Sequence, residues 1–474
     1  MTMISTSQSI GRRIADRLAS VTFASLTGAG RGSMAALALG FFTFSLISAP
    51  GSLHAMEIKV VTSPGGIKAW LVEAHNNPLL AMKFSFEGGN SQDPAGKEGL
   101  ANFVTAMLDE GAGEMTSGDF QEALETLAMR MSYDDSRDAF YGNFETLTQN
   151  RAESVKLLKL ALTKPRFDQD AVDRIRGQLL ANLAYAERDP EKVAAKEWYA
   201  TAFAGHPYGK PAQGTEASVA AIGRDDLEAY RKRIFVKDTL KIVAVGDITP
   251  DELGKLLDEA FGDLPQSGNL TPIALVKPVS GGEEKWIEMD VPQSVAVFGV
   301  GAMPRRDPDF LAAFVVNQLV GGGGFASRLM EEVREKRGLA YSVYSYIQPF
   351  RHASVLSGGV ATKAAAITQS LNVIRSELKQ IAEQGPTPDE FENAKKYLIG
   401  SYALRFDTNS KIASQLLGLY EDDFGPDYVE KRNALVAALT LDDAKRVAKR
   451  LLDNNDLIVT IVGRPPKTTA DGRG

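Results

Sequence analysis

The chain has no cysteine and only four histidines in 474 residues. Without cysteine there are no disulfides, no thiolate metal sites and no thiol nucleophile. So few histidines restrict imidazole chemistry to His75, His206 and His352, once His54 in the N-terminal leader is set aside. No two of these are close in sequence. His75 precedes Asn-Asn-Pro and reads as a turn residue, while His206, before Pro-Tyr, reads as a capping or packing residue. Long apolar runs are also scarce. One segment, Met34 to Ser48, is a candidate, and it is short for a membrane-spanning helix, which needs ~20 residues.

What is present is ordinary for a globular protein: 44% hydrophobic and 24% charged residues. At this length two or more domains are expected. Residues 1–55 read as a secretory signal: Arg12, Arg13, Arg17 and Arg31 against the single acid Asp16, then the apolar run, then small residues up to Ala55. An uncleaved anchor and an organellar presequence are the alternative readings. The expectation is an exported, periplasmic chain, free or tethered. Setting aside the leader's four arginines and one acid moves the formal charge from −7 to −10. Such a surface disfavours nucleic acid.

Strands are expected at Ile58–Thr62, Ala69–Glu73 and Ala81–Phe86 from their alternation. Leu100, Phe103, Val104, Met107 and Leu108 follow at helical spacing, forming one apolar stripe. A buried strand over Leu240–Gly246 and a helix over Pro250–Phe261 complete a first half, residues 56–264. The turn-rich stretch 265–285 reads as a linker. The second half, 286–474, replays the first: Gly88, Val172 and Gly246 are echoed at Gly301, Phe391 and Gly463, offsets of 213, 219 and 217. Three similar offsets in one order point to a duplicated domain. Strands and helices mix without strict alternation, so the fold class is α+β. The halves are expected to face each other as a clamshell.

In this duplicated frame, Glu87-Gly-Gly-Asn, Gly99-Leu-Ala-Asn-Phe-Val-Thr-Ala-Met-Leu and His206-Pro-Tyr-Gly-Lys-Pro resemble the pitrilysin/insulinase-type zinc peptidases, which include the mitochondrial processing peptidase. The resemblance spans 58–464. Catalytic members carry an inverted motif, H-x-x-E-H, on that helix: two imidazoles and a distal Glu hold zinc, and the motif Glu deprotonates the bound water. The matching positions here are Asn102, Thr105 and Ala106. Glu187 is the only acid in the stretch Gln178–Glu187, where the distal ligand is expected, and its register is open. The resemblance therefore implies a chain with no metal site of its own.

The second half keeps what the first has lost. Leu319-Val-Gly-Gly-Gly-Gly-Phe-Ala-Ser-Arg-Leu-Met-Glu-Glu-Val-Arg-Glu-Lys-Arg-Gly-Leu-Ala-Tyr is similar to the family's C-terminal signature, an Arg followed seven positions later by a Tyr. Those residues are Arg334 and Tyr341. The resemblance gives them the role of reaching substrate at a zinc centre, and Gly321, Gly322, Gly323 and Gly324 the position of a substrate-admitting loop. Ser327–Lys336 reads as a helix stopped by Gly338. The strand from Ala340 is expected to show Tyr341, Val343, Ser345 and Ile347 on one face, so that Arg334 and Tyr341 converge. The glycine run lacks the Lys-Ser/Thr of a phosphate loop, and reads either as a mobile lip or as a helix-to-helix connection. Tyr402, Arg405 and Phe406 are chamber-lining or packing residues.

The resulting expectation is a non-catalytic, substrate-binding subunit of a heteromeric zinc peptidase. The zinc would reside in a homologous partner chain that bears the motif, and peptides would be the substrate. An inert scaffold and a lone peptide-binding or chaperone-like protein are the alternatives.

Overall fold

The computed structural model describes residues 56–279, 281–453 and 457–465. The expected leader, with its apolar run, lies outside the described residues. None of the described helices is long and apolar enough to cross a membrane.

Two mixed sheets carry the fold. The first contains β1 (Lys59–Thr62), β2 (Lys68–Glu73), β3 (Leu79–Glu87), β4 (Arg130–Asp135), β5 (Ala139–Leu147) and β6 (Lys241–Gly246), in the order β1-β2-β6-β3-β5-β4. The second contains β7 (Glu284–Glu288), β8 (Ser294–Gly301), β9 (Ala340–Pro349), β10 (Ser354–Thr362) and β11 (Ile458–Gly463), in the order β7-β11-β8-β10-β9. With β1 set aside the two orders are the same. Each sheet also has one parallel pair at the same place, β2 with β6 and β7 with β11. The α+β class and the duplication read from the sequence are what the structure has. Gly246 and Gly463 close equivalent strands with φ of +144° and +150°. A side chain at either would strike the start of the neighbouring strand, at Leu79 or Ser294.

Strand residues alternate between two apolar sets, so each sheet is buried on both faces. On the first sheet, Ala69, Leu71, Met82 and Phe84 face the half's own helices. Trp70, Val72, Val243 and Val245 face the other way and are covered by a helix from the second half, Asn409–Glu421, through Ala413, Leu416 and Leu417. Trp70 and Tyr420 stack there at 4.6 Å and 8°. The reciprocal helix, Pro190–Ala202, is also 13 residues long and stands 219 positions earlier (190 to 409). It crosses to the second sheet, where Trp198 packs on Val355 and Ile458, and Val193 packs on Val295 and Val462. Trp198 Nε1 donates to the Ile458 carbonyl at 3.0 Å. Gly299 makes room for the indole: a Cβ there would lie 2.5 Å from Trp198 Cζ2. Each half thus lends a helix to the other's sheet. The halves interlock, leaving a cleft of about 800 Å³ bounded by Ser85, Tyr141 and Lys241 on one side and Arg305, Arg351 and Glu421 on the other.

Candidate functional site

The helix that carries Asn102 and Thr105 starts from Gly99, at φ +93°, and runs Leu100–Thr105. Asp93 caps it, accepting from the Gly99 and Ala101 amides at 2.8 and 3.0 Å. All five residues of the expected stripe are buried, but the α-helix stops short of the last two. The Thr105 hydroxyl donates to the Asn102 carbonyl at 2.7 Å, the acceptor that the Ala106 amide would use in a continued helix. Ala106 turns instead to the Phe103 carbonyl at 3.2 Å, and Met107 bonds three residues back to Val104 at 3.0 Å. The tighter turn still buries Met107 and Leu108.

Asn102 does not face a metal-ligand constellation. Its amide donates to Asp135 Oδ1 at 3.4 Å, and Asn90 donates to Oδ2 of the same carboxyl at 2.7 Å. Burial pushes Asp135 up to about 6 and Asp93 up to about 7. Asp135 had no signal in the sequence, where an acid on an alternating strand reads as solvent-facing. Glu187 caps the end of helix Gln169–Ala186 and is held by Lys196 at 2.5 Å. His75 pairs with Asp247 at 2.7 Å, and His206 accepts from the Tyr208 amide at 3.2 Å while its other nitrogen meets the Ala274 carbonyl at 3.1 Å. Among the described residues, no group of three or more His, Asp or Glu side chains is placed to hold a metal ion. An amide, a backbone-bonded hydroxyl and a methyl group at positions 102, 105 and 106 do not fit zinc.

In the second half the structure brings Arg334 and Tyr341 together. The guanidinium carbon lies 5.2 Å from the Tyr341 ring centre and 4.7 Å from that of Phe325, with Tyr341 80% exposed and Phe325 72% exposed. Arg334 sits on a stretch of wide helical turn, Met330–Glu335, and its ion-pair partner is the adjacent Glu335 at 3.6 Å. Gly338, at φ +59°, then reverses the chain into β9. The expected common face for Tyr341, Val343, Ser345 and Ile347 is not what the structure has. The pairing of β9 with β10 slips at this end, Ala361 facing Ser342 and Thr362 facing Ala340, so Tyr341 is the extra residue of a bulge. Ala340 and Val343 are buried, and Tyr341 and Ser342 between them are both exposed. The bulge is what turns the phenol outward to Arg334. Phe325 is a site residue that the sequence reading missed, because its place next to the glycines made it look like part of a loop.

The glycine run ends a helix rather than forming an open loop. Gln318–Gly322 continues helix Phe310–Asn317 as a wide turn, and Gly324–Ala326 is a short 3₁₀ turn. A Cβ on Gly321 would lie 2.5 Å from the Ser345 amide nitrogen, and one on Gly322 would lie 2.7 Å from Asn317 Nδ2. Asn317 also exchanges hydrogen bonds with Ser345, accepting from its hydroxyl at 2.8 Å and donating to its carbonyl at 3.3 Å. Gly324, at φ +56°, meets open space.

Residues 69–216 match the family model described as Insulinase (Peptidase family M16), and residues 221–398 match Peptidase M16 inactive domain. A Helicobacter pylori protein named Non-peptidase homolog YmxG is 30% identical over 395 residues, which cover 83% of this chain and 91% of that protein. The chain belongs to the M16 peptidase family. Another M16 relative, the mitochondrial-processing peptidase subunit beta of Blastocladiella emersonii, is 23% identical over 89% of this chain and 92% of its own length. Among solved structures, the M16 inactive domain protein from Pseudomonas fluorescens superposes with a TM-score of 0.81 at 27% identity, covering 86% of this chain and 98% of that one.

Proposed function

We propose that this chain is the substrate-gripping, non-catalytic subunit of a two-chain M16 zinc peptidase. Its partner is a homologous chain with an intact motif and its own zinc, and its substrates are unfolded peptides. One observation carries the reading: Arg334 and Tyr341 lie together at an exposed surface while positions 102, 105 and 106 carry no ligand. A guanidinium offers five fixed donors and a phenol one. Placed at the partner's centre, they hold the scissile carbonyl and stabilise the oxyanion that develops as water attacks, each such donor contributing ~3 kcal/mol to the barrier. Gly324, the one open position of the glycine run, borders the peptide's path. That a relative bears the name of a processing-peptidase subunit supports the two-chain arrangement.

The same reading takes residues 1–55 as an export leader, 56–264 and 286–474 as the two peptidase-like domains and 265–285 as their linker. The arginine-rich start and the apolar run support a periplasmic location, free or tethered.

The test is to purify the chain with a motif-bearing M16 chain from the same genome. Cleavage of an unfolded peptide is then compared for wild type, Arg334→Ala and Tyr341→Phe. Turnover is expected to fall about a hundredfold in each, with the complex unchanged by gel filtration. An inert scaffold would form the complex and leave turnover untouched by both substitutions.

A further inference from the structure

A second cavity, about 290 Å³, opens in the C-terminal half and shares no lining residue with the Arg334 cluster. Part of its wall is apolar, formed by Phe310, Phe314, Ile347 and the ring of Tyr402. Three guanidiniums line it, Arg305, Arg405 and Arg432, against one carboxylate, Asp422. Arg305 is committed to that carboxylate, Nε to Oδ2 at 3.1 Å, and packs 4.7 Å from the Phe310 ring centre.

The other two arginines have no carboxylate partner among the described residues. Arg432 is 5% exposed and lies 4.5 Å from the Tyr402 ring centre. Its hydrogen bonds go to neutral acceptors, the Leu398 carbonyl at 2.7 Å and the Asn433 side chain at 2.9 Å. A buried cation is costly unless it is paired. Burial lowers its pKa from the usual guanidinium range, and the positive charges of Arg405 and Arg305 act in the same direction. Arg405 stands exposed at the cavity mouth, with its donors free to turn inward.

We infer that this cavity is a binding site for a carboxylate carried on an apolar group the size of one or two amino acids. The planar fork of arginine matches a carboxylate in two parallel hydrogen bonds, and the aromatic and aliphatic walls accept the apolar part. A small free acid and the C-terminus of a peptide both present this chemistry. The cavity volume, near the lower end of the range for ligand pockets, suits a group of that size.

The experiment is calorimetric titration of the purified chain with three probes: N-acetyl-Leu-Phe as the free acid, the same dipeptide as its C-terminal amide, and 3-phenylpropionate. The free acid is expected to bind saturably and the amide at least tenfold more weakly. Arg405→Gln, an exposed change, should weaken the acid at least tenfold with the far-UV spectrum unaltered. Binding of 3-phenylpropionate as tight as that of the dipeptide acid supports the site with a small free acid as the ligand. Binding of the dipeptide acid alone supports it with a peptide terminus. No saturable binding by either acid, equal binding of acid and amide, or an Arg405→Gln variant that binds like wild type would each overturn the inference.

Discussion

Thr105 donates its hydroxyl to the carbonyl of Asn102 at 2.7 Å, at the end of the short helix Leu100–Thr105. The Ala106 amide turns to the Phe103 carbonyl at 3.2 Å, so position 106 lies past the end of that helix.

Writing the family's motif into this segment is therefore not expected to create a metal centre. The triple variant Asn102→His, Thr105→Glu, Ala106→His supplies two imidazoles, and the acid beside position 102, Asp135, already accepts from Asn90 at 2.7 Å. Zinc affinity, measured by competition with a chromogenic chelator, is expected to be roughly micromolar or weaker. Nanomolar binding would mean that a distal ligand survives.

The exchanged helices are expected to make the two halves unfold as one unit. Trp198 is fully buried and bonds to Ile458, so Trp198→Ala should cost about 3–5 kcal/mol. Gly299→Ala, which pushes a methyl group into the same indole, should cost about 1–3 kcal/mol by overpacking. Denaturant unfolding checks both. Two separate transitions in wild type would show that the halves unfold independently.

The glycine run offers a contrast within four residues. Gly321→Ala drives a Cβ against Ser345 and is expected to cost about 1–3 kcal/mol. Gly324→Ala meets no neighbour and is expected to cost only about 1 kcal/mol, from its left-handed backbone. Thermal melts of the two variants give the order directly.

The expected pH dependence comes from Glu421, on the wall of the interdomain cleft and bonded to the Tyr141 hydroxyl at 3.2 Å. Burial pushes its pKa from 4.5 up to about 7. Below about 4.5 the folded and unfolded chains both hold the proton. Between about 4.5 and 7 the unfolded chain releases it while the folded chain keeps it, so stability falls as pH rises, on the order of 3 kcal/mol in all. Asp93 and Asp135 act in the same direction. Glu421→Gln, which preserves an acceptor for Tyr141, should match wild type in chemical denaturation at pH 4.5 and exceed it at pH 8. Equal stability at both pH values would remove Glu421 from the account.

Strand positions were legible because their apolar alternation is local. Helix Pro250–Phe261 has in the structure the bounds expected from its sequence. The duplication was legible as a repeated spacing. Which sheet a helix covers was not: Pro190–Ala202 is amphipathic whichever half it joins, and only the three-dimensional partners of Trp198 reveal the exchange. The bulge at Tyr341 left a faint trace, two exposed residues between Ala340 and Val343, which strict alternation reads through. Asp135 left none, since its burial depends on Asn90 and Asn102 arriving from elsewhere in the chain. Arg334 and Tyr341 were found through a resemblance, and their contact with Phe325 required the fold.

The division of labour between two chains can be measured most directly in one preparation. Zinc content by mass spectrometry and cleavage of an unfolded peptide are followed for this chain alone and after addition of the motif-bearing partner. The account predicts sub-stoichiometric zinc and no cleavage alone, with cleavage appearing on mixing and depending on Arg334. About one tightly held zinc per chain, together with cleavage in the absence of any partner, would contradict it.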